Sequence, residues 1–212
     1  SEGKDGEETK SNKYFTMATK NGIIKKTEIG EYENIRTNGL IAINLESGDE
    51  LTWVRPTTGD DEIILITAEG KSIRFNEEEV RAMGRTAKGV TAMKFKTESD
   101  YIVSMDVVRD DKHRLLTVSE RGYAKMTELK EYSTQRRAGS GIYTFNVTDK
   151  TGNVAAARIL DNPEETEIVV ISEKSKVIRS SLKAVPTQGR QTSGVKIMNL
   201  DKGDKVATVT LM

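Results

Sequence analysis

The sequence predicts an all-β protein of propeller-like form, with four blades of about 50 residues and four short strands in each blade. Three observations support this prediction. Three motifs recur four times in the same order, each motif contains a β-prone run beside a polar turn, and amphipathic helices are nearly absent, the best candidate being 77–83. Runs that are apolar throughout, such as 63–66 and 168–171, suit strands that are buried on both faces.

The first motif has the signals of a β-hairpin. Two short β-prone runs flank a polar turn, which is centred on Gly22, Gly70, Gly122 or Ser175. The four copies are TKNGIIKKT at 19–27, TAEGKSIRF at 67–75, SERGYAKMT at 119–127 and SEKSKVIRS at 172–180.

The second motif is an arginine, a turn closed by glycine, and an apolar run. Its copies are RTNGLIAINL from Arg36, RTAKGVTAMKF from Arg85, RRAGSGIYTFNV from Arg136 and RQTSGVKIMNL from Arg190. The closing glycines are separated by 50, 52 and 53 residues, and they are Gly39, Gly89, Gly141 and Gly194. The third motif, an acidic turn before another β run, occurs as SGDELTWV, ESDYIVSMDVV, KTGNVAAARIL and KGDKVATVTL. The spacing predicts a single domain over 13–212, with repeats at about 13–60, 61–112, 113–165 and 166–212.

Composition limits both the cellular setting and the chemistry. The chain has no cysteine, which excludes disulfides and thiolate metal sites and fits a cytoplasmic protein. No apolar run approaches the roughly 18 residues of a membrane helix, so we expect no membrane partner. Residues 1–12 are polar and acidic, which predicts a disordered acidic linker or an artificial chain end instead of a signal peptide. An acidic regulatory segment is the alternative.

The charges are balanced in total but segregated along the chain. Lys and Arg number 33, and so do Asp and Glu. Residues 80–97 contain five cations, 132–148 contain two and 174–200 contain six, and none of these stretches contains a carboxylate. Because equivalent positions in successive blades face the same way, this pattern predicts a basic band on one part of the ring. Such a band suits a long polyanion that bends, bound through many modest phosphate contacts and with weak sequence preference.

Other interpretations of the same charges stay open. Ordinary solvated loops also carry cations, and a propeller can serve as a protein-binding scaffold with an apolar or acidic binding face. A catalytic site is not indicated, because His113 is the only histidine and no phosphate-binding loop or nucleophile elbow occurs. The carboxylates at 60–62 and 106–111 do not match a calcium loop. We therefore expect no catalytic residue and no metal site.

Three segments, 14–32, 38–51 and 69–90, resemble the C-terminal domain of the A subunit of bacterial DNA gyrase, which is a type IIA topoisomerase. The last of them contains EGKSIRFNEEEVRAMGRTAKGV, and the similarity extends over nearly all of 14–212. The resemblance implies a β-pinwheel, a disc whose blades exchange strands, that wraps double-stranded DNA around its rim. It also implies a heterotetramer with the gyrase B subunit, in which the remainder of gyrase A takes part and which introduces negative supercoils. ATP and magnesium belong to that holoenzyme, and no cofactor is expected in this domain.

The sequence departs from the family at its diagnostic box, Q-R-R-G-G-(R/K)-G, which usually lies in the first blade. The nearest match lies in the third repeat and differs at Ala138 and Ser140; it is Gln135, Arg136, Arg137, Ala138, Gly139, Ser140 and Gly141. This departure suggests a chain without the first blades, which would bind DNA but wrap it poorly. The equivalent domain of topoisomerase IV, which supports decatenation, is the nearest alternative.

Position in the repeat predicts the DNA contacts. One cationic set is chosen from each repeat. The predicted contacts are Lys25, Lys26, Arg36, Arg74, Arg81, Arg85, Lys88, Arg121, Lys125, Arg136, Arg137, Lys176, Arg179, Arg190 and Lys196.

Overall fold

Fifteen β-strands and four 3-10 helices form the regular structure of the residues that this computed structural model describes, 11–35, 37–161 and 167–212. The predicted linker at 1–12 lies almost wholly outside them. The strands are β1 (Tyr14–Thr19), β2 (Ile23–Glu28), β3 (Leu51–Thr57), β4 (Glu62–Thr67), β5 (Lys71–Asn76), β6 (Val90–Thr91), β7 (Ile102–Val108), β8 (Arg114–Ser119), β9 (Tyr123–Glu128), β10 (Ile142–Tyr143), β11 (Val154–Leu160), β12 (Glu167–Ser172), β13 (Val177–Ser181), β14 (Val195–Lys196) and β15 (Val206–Leu211). The 3-10 helices are Ile29–Tyr32, Glu77–Glu79, Leu129–Glu131 and Leu182–Ala184.

The strands form four antiparallel sheets, one for each repeat. Their orders are β3-β1-β2-β6, β10-β5-β4-β7, β11-β8-β9-β14 and β13-β12-β15. The strands β6, β10 and β14 belong to the repeat that follows, so each of the first three sheets is completed by its neighbour. The all-β, propeller-like β-pinwheel is confirmed, with one correction: among the described residues the fourth sheet has three strands. It lacks the short strand that a following repeat supplies to the other sheets.

The sheets are arranged side by side through their third-motif strands. β3 packs against β7, β7 against β11, and β11 against β15. These strands therefore form the inner side of each sheet, and β6, β10 and β14 lie on the opposite, outer edge. Because consecutive sheets repeat the same strand order, equivalent outer edges follow one another around an arc.

The core lies within and between the sheets. Strand β4, predicted to be buried on both faces, has its four apolar residues at 63–66 completely buried. Trp53, expected to pack in the core, is 9% exposed and lies in a cluster with Ile63, Phe75 and Met105. The core therefore draws on two adjacent repeats, which ties the position of each sheet to that of its neighbour.

The candidate helix at 77–83 is a single 3-10 turn, Glu77–Glu79. Asn76 caps a single 3-10 turn by accepting a hydrogen bond from the Glu78 backbone N–H at 2.7 Å, and the chain is already extended at Val80. The Glu77 side chain is completely buried, where it accepts hydrogen bonds from the backbone N–H groups of Gly59 (2.7 Å) and Asp61 (3.0 Å). A buried carboxylate therefore fixes the position of this turn.

Carboxylates of the third motif close the hairpin turns of the first motif. Asp49, Asp100 and Asp204 each accept a hydrogen bond from a backbone N–H in the adjacent hairpin turn, at 2.9, 2.9 and 3.1 Å. These three acidic groups therefore have a local structural role.

Candidate nucleic-acid interface

Three cationic loops lie along the outer edges of the first three sheets. These rim loops are residues 81–89, 134–141 and 187–194, and each leads into the short outer strand of the preceding repeat's sheet. Each is attached to that sheet by a backbone hydrogen bond before the short strand begins. The donors and acceptors are Met83 N to Lys26 O (2.8 Å), Gln135 N to Arg74 O (2.7 Å) and Gln188 N to Met126 O (2.8 Å).

One arginine in each rim loop joins that loop to the segment that follows the closing glycine of the preceding repeat. The guanidinium Nη1 atom of this arginine donates a hydrogen bond to a carbonyl oxygen two residues after a closing glycine. The pairs are Arg85 with Ile41 (3.3 Å), Arg137 with Thr91, and Arg190 with Tyr143 (3.0 Å). These arginines are partly exposed, so they stabilise the outer edge and still present cationic surface.

The rim loops also hold cations that point into solvent. Arg81, Lys88, Arg136 and Lys196 are exposed, and Lys196 lies in β14 directly after the third rim loop. Of these, Lys88 has a carboxylate 3.4 Å away, Glu46 of the first repeat. These four predicted contacts lie where a ligand on the outer edge can reach them.

Two predicted contacts are wrong on physical grounds, because Lys25 and Lys125 are completely buried. The Lys125 Nζ atom donates to the carbonyl oxygens of Gly189 and Arg190, both at 2.7 Å. The Lys25 Nζ atom donates to Ala42 O at 2.6 Å and to Arg85 O. Burial disfavours the charged amine and lowers the pKa of each lysine to about 8. Both lysines hold the rim loop of the following repeat instead of facing DNA.

The prediction that Lys26 and Arg74 contact DNA is also wrong, because their exposed fractions are only 5% and 7%. The Lys26 Nζ atom donates to Glu77 O at 3.0 Å, and Arg74 Nη1 donates to Leu129 O at 3.2 Å. The acceptors are the first residues of the 3-10 helices in the following repeats. These two cations therefore join consecutive repeats, and their charges are directed into the protein.

The remaining predicted contacts lie outside the rim loops. Arg121 is exposed in the hairpin turn of the third repeat, Lys176 is exposed directly before β13, and Arg179 is exposed within β13. Arg179 pairs with Glu167 of its own sheet, with 2.7 Å between its Nε atom and the carboxylate. Arg36 lies outside the described residues.

The box-like segment forms the second rim loop. Ala138 has a φ of +63°, in the left-handed region that favours glycine. Its N–H donates to Ala92 O at 2.7 Å, and Gly139 O accepts from Lys94 N at 2.9 Å, so the loop lies against the short-strand segment of the second repeat. The segment places Arg136 outward and uses Arg137 to bind its neighbour.

Comparison with known proteins agrees with this architecture. The family model described as "DNA gyrase C-terminal domain, beta-propeller" matches residues 13–58, 61–109, 113–161 and 166–211. The chain belongs to this family. Each of the four matched segments contains the three long strands of one of the sheets described above, so the family's repeat is the structural repeat of this DNA gyrase C-terminal domain.

Curated relatives of this domain are A subunits of DNA gyrase. The chain is 43% identical over 196 residues to that of Deinococcus deserti, covering 91% of the chain and 24% of the relative. It is 40% identical over 198 residues to that of Mycolicibacterium smegmatis, covering 92% of the chain and 23% of the relative. The chain therefore spans about a quarter of the length of these relatives.

Solved structures share the fold of the gyrase domain. A C-terminal domain of DNA topoisomerase IV superposes with a TM-score of 0.87 at 26% identity, covering 97% of this chain and 64% of that one. A DNA gyrase A C-terminal domain gives a TM-score of 0.82 at 28% identity, covering 97% and 68%. Both matches take in the whole arc of four sheets.

Two exposed lysines of this gyrase domain were not among the predicted contacts. Lys94 and Lys96 follow β6 and are exposed, and the Lys94 backbone N–H binds the box-like loop. The sequence contains evidence for both lysines, because they lie in the acid-free stretch 80–97.

Among the described residues, no group of three or more histidine, cysteine or carboxylate side chains could hold a metal ion. No helix in the described parts of the chain is long and apolar enough to cross a membrane.

Proposed function

We propose that this chain binds double-stranded DNA along its outer edge, without sequence specificity, and wraps it. The observation that carries the proposal is the position of the rim loops. They occupy equivalent places on three consecutive sheets, they present exposed cations such as Arg81, Lys88 and Arg136, and the stretches 80–97 and 132–148 contain no carboxylate. Successive cationic loops on an arc offer regularly spaced phosphate contacts to a duplex that follows the curve.

Wrapping would allow this domain to contribute to strand passage by the whole gyrase. A duplex bent around the arc with a fixed handedness would be presented to the strand-passage gate in one orientation, so that ATP-driven passage introduces negative supercoils. In this proposal the chain is a non-catalytic domain of a bacterial, cytoplasmic DNA gyrase. Its partners are double-stranded DNA, the remainder of gyrase A, and the gyrase B subunit in a heterotetramer. ATP and magnesium act elsewhere in that holoenzyme.

A topoisomerase IV domain is the second candidate, favoured by the TM-score of 0.87 to such a domain. The sequence identities favour gyrase, because the identity is 43% to a gyrase A relative and 26% to the topoisomerase IV structure. The box-like segment departs from the family pattern and would reduce wrapping in either case. The two candidates differ in whether DNA bound to the chain changes its linking number.

The test is binding to a long linear duplex across a salt series, with topology measured on a nicked circle that ligase closes in the presence of the chain. Affinity that falls steeply with salt, together with a shift in linking number, is the expected result. Binding without a shift would contradict wrapping and support a topoisomerase IV type of domain. Absence of binding at low salt would contradict the DNA-binding proposal and favour a protein-binding disc.

A matched pair of triple variants connects the result to the rim loops. Arg81, Lys88 and Arg136 are changed to glutamine in the first variant. Lys13, Lys112 and Lys202, which are exposed outside the rim loops, are changed to glutamine in the control. The first variant should lower the slope of log K against log salt by about 2.7, since each phosphate contact contributes about 0.9. The control should keep its slope, and equal losses in the two variants would remove the rim loops from the contact surface.

A further inference from the structure

Each rim loop meets a carboxylate that belongs to the preceding repeat. The third residue of the 3-10 helix is a glutamate in the first three repeats, namely Glu31, Glu79 and Glu131. The Oε2 atom of Glu79 accepts a hydrogen bond from the Arg137 backbone N–H at 3.0 Å. The Oε2 atom of Glu131 accepts one from the Arg190 backbone N–H at 3.3 Å. The two contacts are equivalent, because both arginines lie four residues before a closing glycine.

Between the first and second repeats the carboxylate meets the arginine side chain instead. The Oε2 atom of Glu31 lies 3.9 Å from Nε of Arg85, the arginine at the same position in the first rim loop. A carboxylate therefore accompanies the equivalent arginine in all three rim loops, although the stretches 80–97 and 132–148 contain none. These stretches begin directly after Glu79 and Glu131, so the carboxylates reach the rim loops only through the packing of one repeat on the next.

The two backbone contacts differ in exposure from the carboxylate contacts that close the hairpin turns. Asp100 and Asp204 also accept hydrogen bonds from backbone N–H groups, but each is only 6% exposed. Glu79 and Glu131 are exposed. A ligand can therefore reach the contacts at the rim loops, whereas those in the hairpin turns are enclosed by the protein.

Neutralisation of a buried cation does not account for these glutamates. Glu131 interacts electrostatically with the buried Lys125. The second sheet has Ile73 at the place of Lys125, yet Glu79 makes the same contact with the next rim loop there. The feature that the two places share is the backbone N–H of the rim-loop arginine, which points to that group as the reason for the carboxylate.

We propose that the backbone N–H groups of Arg137 and Arg190 are phosphate-binding positions, which Glu79 and Glu131 occupy until DNA displaces them. This inference rests on the proposed function. A phosphate oxygen of DNA accepts hydrogen bonds from backbone N–H groups, as a carboxylate oxygen does. Both N–H groups lie in rim loops, where exposed cations attract the duplex. The glutamates are thus built-in competitors of the DNA backbone.

This competition lowers the affinity of the outer edge for DNA. A carboxylate about 7 Å from a phosphate in water opposes it by roughly the thermal energy RT, so each glutamate lowers the affinity about threefold. The contact recurs between consecutive repeats, and its effect therefore accumulates along the arc. The exposed cations of the rim loops act in the opposite direction.

Removal of the charge alone tests the competition in binding to a long linear duplex at low salt. Glu79→Gln keeps an oxygen that can accept from the Arg137 N–H and removes the negative charge. We expect about threefold tighter binding for Glu79→Gln and about tenfold for the double variant with Glu131→Gln. Glu78→Gln is the matched control, because Glu78 is exposed in the same 3-10 helix and its carboxylate makes no bond to a rim loop among the described residues. Its effect should be smaller than that of Glu79→Gln.

Glu79→Ala separates competition from a role in positioning the loop. Competition predicts tighter binding for Glu79→Ala as well as for Glu79→Gln, whereas a positioning role predicts weaker binding when the acceptor is lost. In a parent chain that binds DNA, weaker binding by Glu79→Ala, or equal effects of Glu79→Gln and Glu78→Gln, would overturn the inference and leave the proposed function standing. A parent chain that binds no duplex would contradict both.

The amide resonances of Arg137 and Arg190 give an independent test by nuclear magnetic resonance. A saturating duplex should shift both resonances, because a phosphate takes the place of the carboxylate. The control is the Glu69 N–H, which donates at 2.9 Å to the buried carboxylate of Asp100 and should keep its position. Arg137 and Arg190 resonances that move no more than that of Glu69 would overturn the inference.

Discussion

The Nζ atom of Lys125 donates a 2.7 Å hydrogen bond to the carbonyl oxygen of Arg190, which links a lysine buried in the third sheet to the rim loop of the fourth repeat. Lys25, in the first sheet, has the same relation to Arg85 of the second repeat. In both cases a lysine on the second hairpin strand holds the loop that covers that strand. These lysines determine where the loop arginines lie, and they do so from a place that DNA cannot reach.

Replacement of Lys125 by methionine should therefore lower the stability of the fold. Methionine fills a similar volume but leaves the carbonyl oxygens of Gly189 and Arg190 without their donor. A lost buried hydrogen-bond partner costs about 1 to 3 kcal/mol, so we expect a loss of that size in the free energy of unfolding. Urea denaturation measures it. Lys130→Met is the control, because Lys130 is exposed, and its effect should stay within about 0.5 kcal/mol.

Stability should also rise with pH between about 8 and 10. Burial lowers the pKa of Lys125 to about 8, with Glu131 opposing the shift and Arg190 adding to it, whereas the unfolded lysine keeps its ordinary value of 10.5. In this window the unfolded chain binds more protons, so the free energy of unfolding increases with pH, by at most about 1.4 kcal/mol per unit for each such lysine. Above pH 10 burial of Tyr132, whose pKa is raised to about 12, acts in the opposite direction.

Denaturation of the parent chain and of Lys125→Met at pH 8, 9 and 10 tests this dependence. The parent should show the steeper increase, because Lys25 alone supplies the effect in the variant. Parallel lines for the two proteins would mean that Lys125 titrates alike in the folded and unfolded chains.

The fold could be predicted because the turn residues recur at a regular spacing along the sequence. The glycines at 39, 89, 141 and 194 recur at almost constant spacing, and the four fully apolar residues of β4 require burial on both faces. The strand exchange could not be predicted in the same way, because pairing between repeats depends on where Gly89 meets Ile24 O in space.

The site was only partly predictable, for a related reason. An acid-free cationic stretch indicates exposure when it lies in a loop, as at Arg81 and Arg136. In a strand, the same residue type can lie beneath a loop from another repeat, as Lys125 lies beneath 187–194. Sequence position alone does not separate these cases, because the covering loop is about 60 residues away along the chain.

The left-handed conformation of Ala138 predicts a stabilising substitution. A residue with a side chain costs about 1 to 2 kcal/mol in this conformation, and glycine avoids the cost but loses about 0.4 to 1 kcal/mol through its freer unfolded chain. Ala138→Gly, which also restores one glycine of the family's box, should therefore raise the free energy of unfolding by up to about 1 kcal/mol. Ala87, in the first rim loop, has no positive φ, so Ala87→Gly should lower stability by about 0.5 kcal/mol. Urea denaturation of the two variants makes the comparison, and a loss of stability in Ala138→Gly would contradict the argument.

Arg136 and Arg137 should behave differently although they are neighbours in the box-like segment. Arg136 is exposed, whereas Arg137 binds the carbonyl oxygens of Thr91 and, at 3.4 Å, Glu79. Arg136→Gln should weaken binding to all DNA sequences alike and lower the salt slope by about 0.9, without a change in stability. Arg137→Gln should lower both the affinity for DNA and the free energy of unfolding, the latter by about 1 kcal/mol because two carbonyl oxygens lose a charged donor. Binding of two unrelated duplexes across a salt series, with urea denaturation of each variant, separates the two roles. If Arg136→Gln leaves the slope unchanged while the double variant of Arg136 and Arg137 lowers it, the contact belongs to Arg137, and the outward position of Arg136 has no part in binding DNA.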